Sequence, residues 1–290
     1  MKDLRIPVDG GSINVWHRPA RDDRPTAVLV HGLSGTSRWW TRVIDHLPSD
    51  LGVAAIDVRG RGGSHDAPSP YGLVTIAEDV ARVLDHLGLD DAIVAGYSMG
   101  GWIAAVFAKE HPDRVRRVLL IDGGFPIPDP PDTEPDDIIE AVVGPSLARL
   151  ELDFPDEDAF VDYWKAHPAL EKHWDDEMRP ALAYELVGSD GTHRVRVNPE
   201  AVKVNAREIT VDTDLKRAGE EITVPAHLVV AERGTADQPG GMIPLETAER
   251  AARSMPNLTM EYLPGVNHYT LILGAGAPAV ASAIAASWLS

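Results

Sequence analysis

The chain contains no cysteine. That removes disulfides, thiolate nucleophiles and zinc–thiolate sites in one step. It also lacks any stretch near the ~20 apolar residues that a membrane helix needs. Met1–Pro19 shows neither an apolar signal core nor a cleavage pattern, so a cytoplasmic location is expected. Positive charge is scarce: 27 Lys and Arg face 45 Asp and Glu, a formal net charge of −18. Nucleic acids and anionic membranes both select a basic face, so neither is an expected partner. Repeats and low-complexity tracts longer than a loop are missing as well. What is present is ordinary for a globular protein: 290 residues, 44% hydrophobic and 25% charged. That length suits one large domain, or a core carrying an insertion.

Short β-like runs alternate with helical patterns. Leu4–Val8 and Ile13–His17 flank Asp9-Gly10-Gly11 and read as a hairpin. Ala27–Val30, Val53–Ile56, Asp91–Ala95 and Val115–Ile121 are apolar runs of strand length. Between them, Ile76, Val80, Val83, Leu84 and Leu87 keep the spacing of one buried helix face, which Gly88 ends. Met99–His111 is a second helix, stopped by Pro112. Strands that are apolar throughout and alternate with helices predict a parallel sheet covered on both faces. Such sheets bind ligands at the carboxyl ends of their strands. His31, Asp57, Ser98 and Asp122 each follow a predicted strand, which places them on one rim.

The rhythm breaks after Asp122. Phe125–Asp137 (FPIPDPPDTEPDD) reads as a proline-rich acidic linker, and a mostly helical stretch follows to about Lys216, with a hairpin near Asp190-Gly191. The βα rhythm then resumes with Ala226–Ala231, a helix over Leu245–Ser254, the strand Leu258–Leu263 and a last helix to Trp288. Residues 1–122 and 219–290 therefore predict an α/β core, and 123–218 a cap inserted at its carboxyl rim. Phe125, Phe154, Phe160, Tyr163, Trp164, Trp174 and Tyr184 would mostly form the cap's own core.

Asp91–Ala108 reads DAIVAGYSMGGWIAAVFA. A strand enters Gly96-Tyr97-Ser98-Met99-Gly100 and a helix leaves it, the setting a G-x-S-x-G nucleophile elbow requires. Glycines two positions either side of the serine let the turn close. The turn lifts the Ser98 hydroxyl above the sheet edge and aims the N–H groups of the next helix at charge formed there. An attacking serine needs a base. Of the eleven histidines, His46, His86 and His111 lie near helix ends, His167, His173 and His193 fall in the insertion, and His227 sits within a strand. His268 follows the last strand in Pro264-Gly265-Val266-Asn267-His268, on the same rim, and is the candidate general base. The backbone N–H groups of Leu33 and Met99 are the candidate oxyanion donors. His31, Asp57, Arg59 and Gly60 are read as turn-shaping residues. Gly60-Arg61-Gly62-Gly63 is no dinucleotide fingerprint, and no cluster has metal-ligand spacing, so no cofactor is expected.

HGLSG (His31–Gly35), DVRGRGGS (Asp57–Ser64), GYSMGG (Gly96–Gly101), HPDRV (His111–Val115) and GVNH (Gly265–His268) together resemble a capped α/β-hydrolase over about two thirds of the chain. The resemblance implies a mostly parallel eight-stranded sheet and a serine–acid–histidine triad. It does not choose a substrate. The acid is the one departure. In most such enzymes it follows the seventh strand, but here Val224–Ala236 (VPAHLVVAERGTA) puts Gly234 at that position. Glu232 and Asp237 lie nearby. Asp122, after the sixth strand, is the preferred alternative, similar to certain haloalkane dehalogenases and zearalenone-type lactonases.

These residues predict a serine hydrolase of a small, apolar carboxylic ester or lactone. Leu33, Trp39, Trp40, Tyr97, Trp102, Trp164 and Tyr269 are candidate pocket residues, with one of the two adjacent tryptophans buried and the other exposed. A C–C bond hydrolase of dienoate or β-diketone type would use the same triad. A ligand sensor built on the fold is a more distant alternative.

Overall fold

The computed structural model describes residues 1–22, 24–127, 147–189 and 191–288, together with Glu134, Asp137, Ile139 and Gly144. Ten strands are described: β1 (Lys2–Val8), β2 (Gly11–Arg18), β3 (Thr26–Val30), β4 (Gly52–Asp57), β5 (Ala92–Tyr97), β6 (Val115–Ile121), β7 (Leu186–Ser189), β8 (Thr192–Val195), β9 (Ala226–Arg233) and β10 (Leu258–Asn267). Eight form one sheet in the order β1-β2-β4-β3-β5-β6-β9-β10. The β1–β2 hairpin pairs antiparallel with β4, and every pair from β4 to β10 is parallel. Gly10, at φ 80°, turns the hairpin; a side chain there would be strained.

β3, β4 and β5 are buried along their whole length. Their alternation sorts side chains into two cores, one on each sheet face. Val28, Val30, Ala54, Ile56 and Val94 pack with the helices Leu73–Leu87 and Met99–Glu110. Ala27, Leu29, Val53, Ala55, Ile93 and Ala95 pack on the other face with Thr41–His46 and Ala277–Ala286. The helix Leu73–Leu87 ends as its sequence implies. Gly88 is left-handed at φ 66°, and the Leu89 N–H reaches back to the Leu84 carbonyl at 2.9 Å, closing the carbonyls of the last turn.

Between β6 and β9 lie the helices Glu157–Lys165, Arg179–Ala183 and Pro199–Thr210, the 3-10 turn Leu215–Glu221, and the β7–β8 hairpin. Gly191 at φ 80° is in that hairpin's turn; Asp190 lies outside the described residues, as does most of the expected linker over Phe125–Asp137. Where this stretch leaves and rejoins the sheet its ends meet: the Gly219 N–H donates to the Gly124 carbonyl at 2.9 Å. Phe154, Phe160, Tyr163 and Trp164 make a run of edge-on aromatic contacts. Phe125 departs from the expectation; it packs in the sheet core with the Met99–Glu110 helix. The last strand is also longer than expected. β10 continues past a register shift after Leu263 to pair Asn267 with Arg233, so the segment before His268 is held on the sheet and is no free loop. Among the described residues no helix is long and apolar enough to cross a membrane.

Candidate active site

β5 ends at Tyr97, and the next residue, Ser98, stands at φ 53°, ψ −125° before the helix Met99–Glu110 begins. A non-glycine residue seldom takes that backbone, and it costs about 1–3 kcal/mol. The surroundings enforce it. The Ser98 N–H donates to the Ile121 carbonyl at 2.8 Å, tying the turn to β6. A β-carbon at Gly96 would lie 1.9 Å from the Gly100 carbonyl oxygen, and one at Gly100 would lie 2.1 Å from that of Val30. Both glycines are therefore required by the close crossing of the two backbones.

Asp122 follows β6, the neighbouring strand, at φ 47°, and is fully buried. His268 follows β10. The imidazole spans the gap between the other two: Nδ1 is 2.7 Å from Asp122 Oδ2, and Nε2 is 3.1 Å from Ser98 Oγ. Three further contacts fix the ring. Tyr97 donates its hydroxyl to the His268 carbonyl at 2.9 Å and stacks on the imidazole at 4.9 Å between centroids. The His268 N–H donates to the Arg233 carbonyl at 3.1 Å. Burial pushes the Tyr97 phenol well above its ordinary range, so it stays a neutral donor.

The alternative acids are engaged elsewhere. Glu232 accepts from the Gly265 N–H at 2.6 Å. Asp237 accepts from Arg233 Nε at 2.8 Å and from Asn267 Nδ2 at 3.0 Å. Those two bonds hold its carboxyl below the usual range, the Asn267 bond first. Asn267 also donates to the Ala169 carbonyl at 2.8 Å. Asp237 thus braces the residue preceding His268 without touching the imidazole.

The expected turn-shaping residues are built in as such. Asp57 accepts from the N–H groups of Ser37 and Gly63 at 2.6 and 2.9 Å, and from the Tyr184 hydroxyl at 2.9 Å. His31 is fully buried, with Nδ1 on the Gly32 carbonyl at 2.7 Å and Nε2 accepting from the Val58 N–H at 3.1 Å. Burial lowers its pKa to about 4, which keeps it neutral. Arg59 forms a buried pair with Asp79 at 2.5 Å.

A cavity of about 80 Å³ opens on Ser98 and His268, lined in part by Leu33, Trp39, Tyr97, Trp102 and Tyr269. Two expected pocket residues stand apart from it. Trp40 is fully buried behind Tyr97, its ring edge-on at 6.5 Å. Trp164 packs edge-on against Trp39 at 5.9 Å and forms a layer behind it. The pairing of one buried and one exposed tryptophan also fails: Trp39 and Trp40 are both buried. Leu33 and Met99 flank Ser98 at the turn after β3 and the start of the helix, and among the described residues neither backbone N–H has an intramolecular partner.

Sequence reasoning missed two buried charged groups beside this site. Arg61 donates to the Leu33 carbonyl at 3.0 Å, the Arg59 carbonyl at 2.9 Å and Asn205 Oδ1 at 2.8 Å. It ties the turn carrying Leu33 to the helix Pro199–Thr210. Glu185 accepts from Trp39 Nε1 at 2.6 Å and pairs with Arg149. Desolvation raises the Glu185 pKa, against the pull of Arg149.

The family model described as the alpha/beta hydrolase fold matches residues 25–187, more than half of the chain. The chain belongs to the α/β-hydrolase family. It is a hydrolase of that superfamily, and its eight-stranded, mostly parallel sheet is that fold. It is 27% identical over 269 residues to a protein of Caulobacter sp. strain K31 that carries the name carbamate hydrolase RutD, covering 90% of each chain. Among solved structures, it superposes on E-2-(acetamidomethylene)succinate hydrolase with a TM-score of 0.81 at 23% identity, covering 100% of this chain and 99% of that one. N-formylmaleamic acid deformylase of Pseudomonas putida S16 superposes with a TM-score of 0.70 at 20% identity, over 97% and 100% of the two chains. At those identities the two structures speak for the fold alone.

Proposed function

We propose that this α/β-hydrolase cleaves a carboxylic ester or lactone through an acyl-enzyme on Ser98. The observation that carries the reading is the unbroken contact from Ser98 Oγ through His268 to buried Asp122. Ser98 attacks the substrate carbonyl while His268 Nε2 takes its proton. The oxyanion forms against the N–H groups of Leu33 and Met99, where one such donor is worth about 3 kcal/mol of barrier. His268 then gives the proton to the leaving alcohol. Water enters and attacks the acyl carbonyl as His268 accepts one of its protons; the Ser98 ester bond then breaks, His268 returns the proton to Ser98 Oγ, and the acyl group leaves as a carboxylic acid. Asp122 holds the tautomer with hydrogen on Nδ1 and stabilises the imidazolium formed at each attack. Residues 123–218 act as a cap that shelters these steps from water.

A second reading has its own support. The likeness to a protein named for carbamate hydrolysis extends over nine tenths of both chains, and an acyl C–N bond could be cut by the same three side chains. C–C hydrolysis of a dienoate or β-diketone also remains compatible with the triad. One experiment addresses all of these. A fluorophosphonate should label Ser98, the Ser98→Ala variant should not label, and the wild-type protein should turn over p-nitrophenyl esters many times. A panel of esters, lactones, carbamates and diketones then ranks the bonds. Ester turnover that survives Ser98→Ala would refute the acyl-enzyme.

A further inference from the structure

We propose that the cavity beside Ser98 selects an uncharged acyl group and rejects acyl groups ending in a carboxylate. This inference rests on the acyl-enzyme reading above and adds a substrate class to it. Among the described residues thirteen line the cavity, and none of these is Lys, Arg, Asp or Glu. Trp102, Ile127, Ile209 and Met242 supply apolar surface from the core on one sheet face, and Trp39 and Tyr269 from the other. Burial holds the Tyr97 and Tyr269 phenols above their ordinary range, so neither is an anion at neutral pH.

The buried cations that bond to the lining residues Leu33 and Ser34 are turned to other tasks. Arg149 is paired with Glu185, whose second oxygen takes the Trp39 indole N–H. Arg61 points its donors at Leu33, Arg59, Ala201 and Asn205. The sequence between Ile127 and Leu147 holds no Lys or Arg that could serve instead. A carboxylate entering this space would give up water with no cation to receive it, which is strongly unfavourable.

The test compares ethyl butyrate with monoethyl succinate, which replaces the terminal methyl by a carboxylate. Acid release is followed by pH-stat for the wild-type protein and Ser98→Ala. The expected kcat/KM for butyrate exceeds that for the succinate half-ester by about 100-fold, with all turnover lost in Ser98→Ala. A Ser98-dependent gap of tenfold or less would overturn the substrate class and leave the acyl-enzyme standing. Failure of diethyl p-nitrophenyl phosphate to modify Ser98, with no ester hydrolysed, would overturn both. Thr235 lies on the exposed rim of the cavity. Thr235→Arg supplies the missing cation there and should narrow the succinate gap at least tenfold; an unchanged gap would show that charge is not what excludes the half-ester.

Discussion

Replacing Asp122 with asparagine keeps the side chain's shape and removes its charge. Two effects then add. At a charge separation of about 4 Å and an effective dielectric of about 20, the carboxylate stabilises the His268 imidazolium by about 4 kcal/mol. The contact behind that figure is the 2.7 Å bond between Asp122 Oδ2 and His268 Nδ1, both fully or nearly buried. In addition, an amide can donate to Nδ1, which moves the ring hydrogen to Nε2, where it faces Ser98 and blocks proton uptake. Together these predict a loss in kcat/KM of about 10⁴-fold, equivalent to about 5.5 kcal/mol. Asp237→Asn keeps an acceptor for Asn267 and should cost less than about tenfold, since its carboxylate does not contact His268. Initial rates on an activated ester, with circular dichroism to confirm folding, decide the matter. A large loss in Asp237→Asn beside a small one in Asp122→Asn would refute the assignment of the acid.

Two other outcomes follow from buried geometry. His31 has a folded pKa of about 4 against an ordinary 6.5. Below pH 6.5 the unfolded chain therefore binds a proton that the folded chain refuses, so stability is full above 6.5 and falls toward 4, by about 3 kcal/mol in all. Urea unfolding at pH 7 and pH 4.5 should show this loss, and it should shrink in His31→Gln; an equal acid loss in both proteins would contradict it. Gly96→Ala would set a β-carbon 1.9 Å from the Gly100 carbonyl oxygen. The elbow has to open, at more than about 4 kcal/mol, and a thermal midpoint within about 3 °C of wild type would show that the crossing is looser than described.

The sequence made some of this legible because local signals carried it. Apolar runs bounded by Gly and Pro marked the strands, and their ends put Ser98, Asp122 and His268 on one rim, where the structure brings them into contact. The extension of β10 to Asn267 was hidden by Pro264 and Gly265, which read as a loop and instead sit at a register shift. Arg61 and Asn205 are 144 positions apart and Trp39 and Glu185 are 146 apart. Neither pair leaves a periodic trace, since both depend on how the stretch between β6 and β9 folds back on the rim. Residue type alone puts Trp40 and Trp164 with the pocket; only packing shows that Tyr97 and Trp39 stand in front of them.

Ser98 and Asp122 share a feature beyond their contact with His268: both are side-chain-bearing residues at positive φ, 53° and 47°. Glycine would sit at either place with less steric penalty. Selection for heat resistance alone would therefore enrich glycine at the two positions proposed to supply the attacking and orienting oxygens. A campaign to harden this hydrolase has to screen for turnover in every round, or its most robust survivors will have shed the proposed nucleophile or the proposed acid.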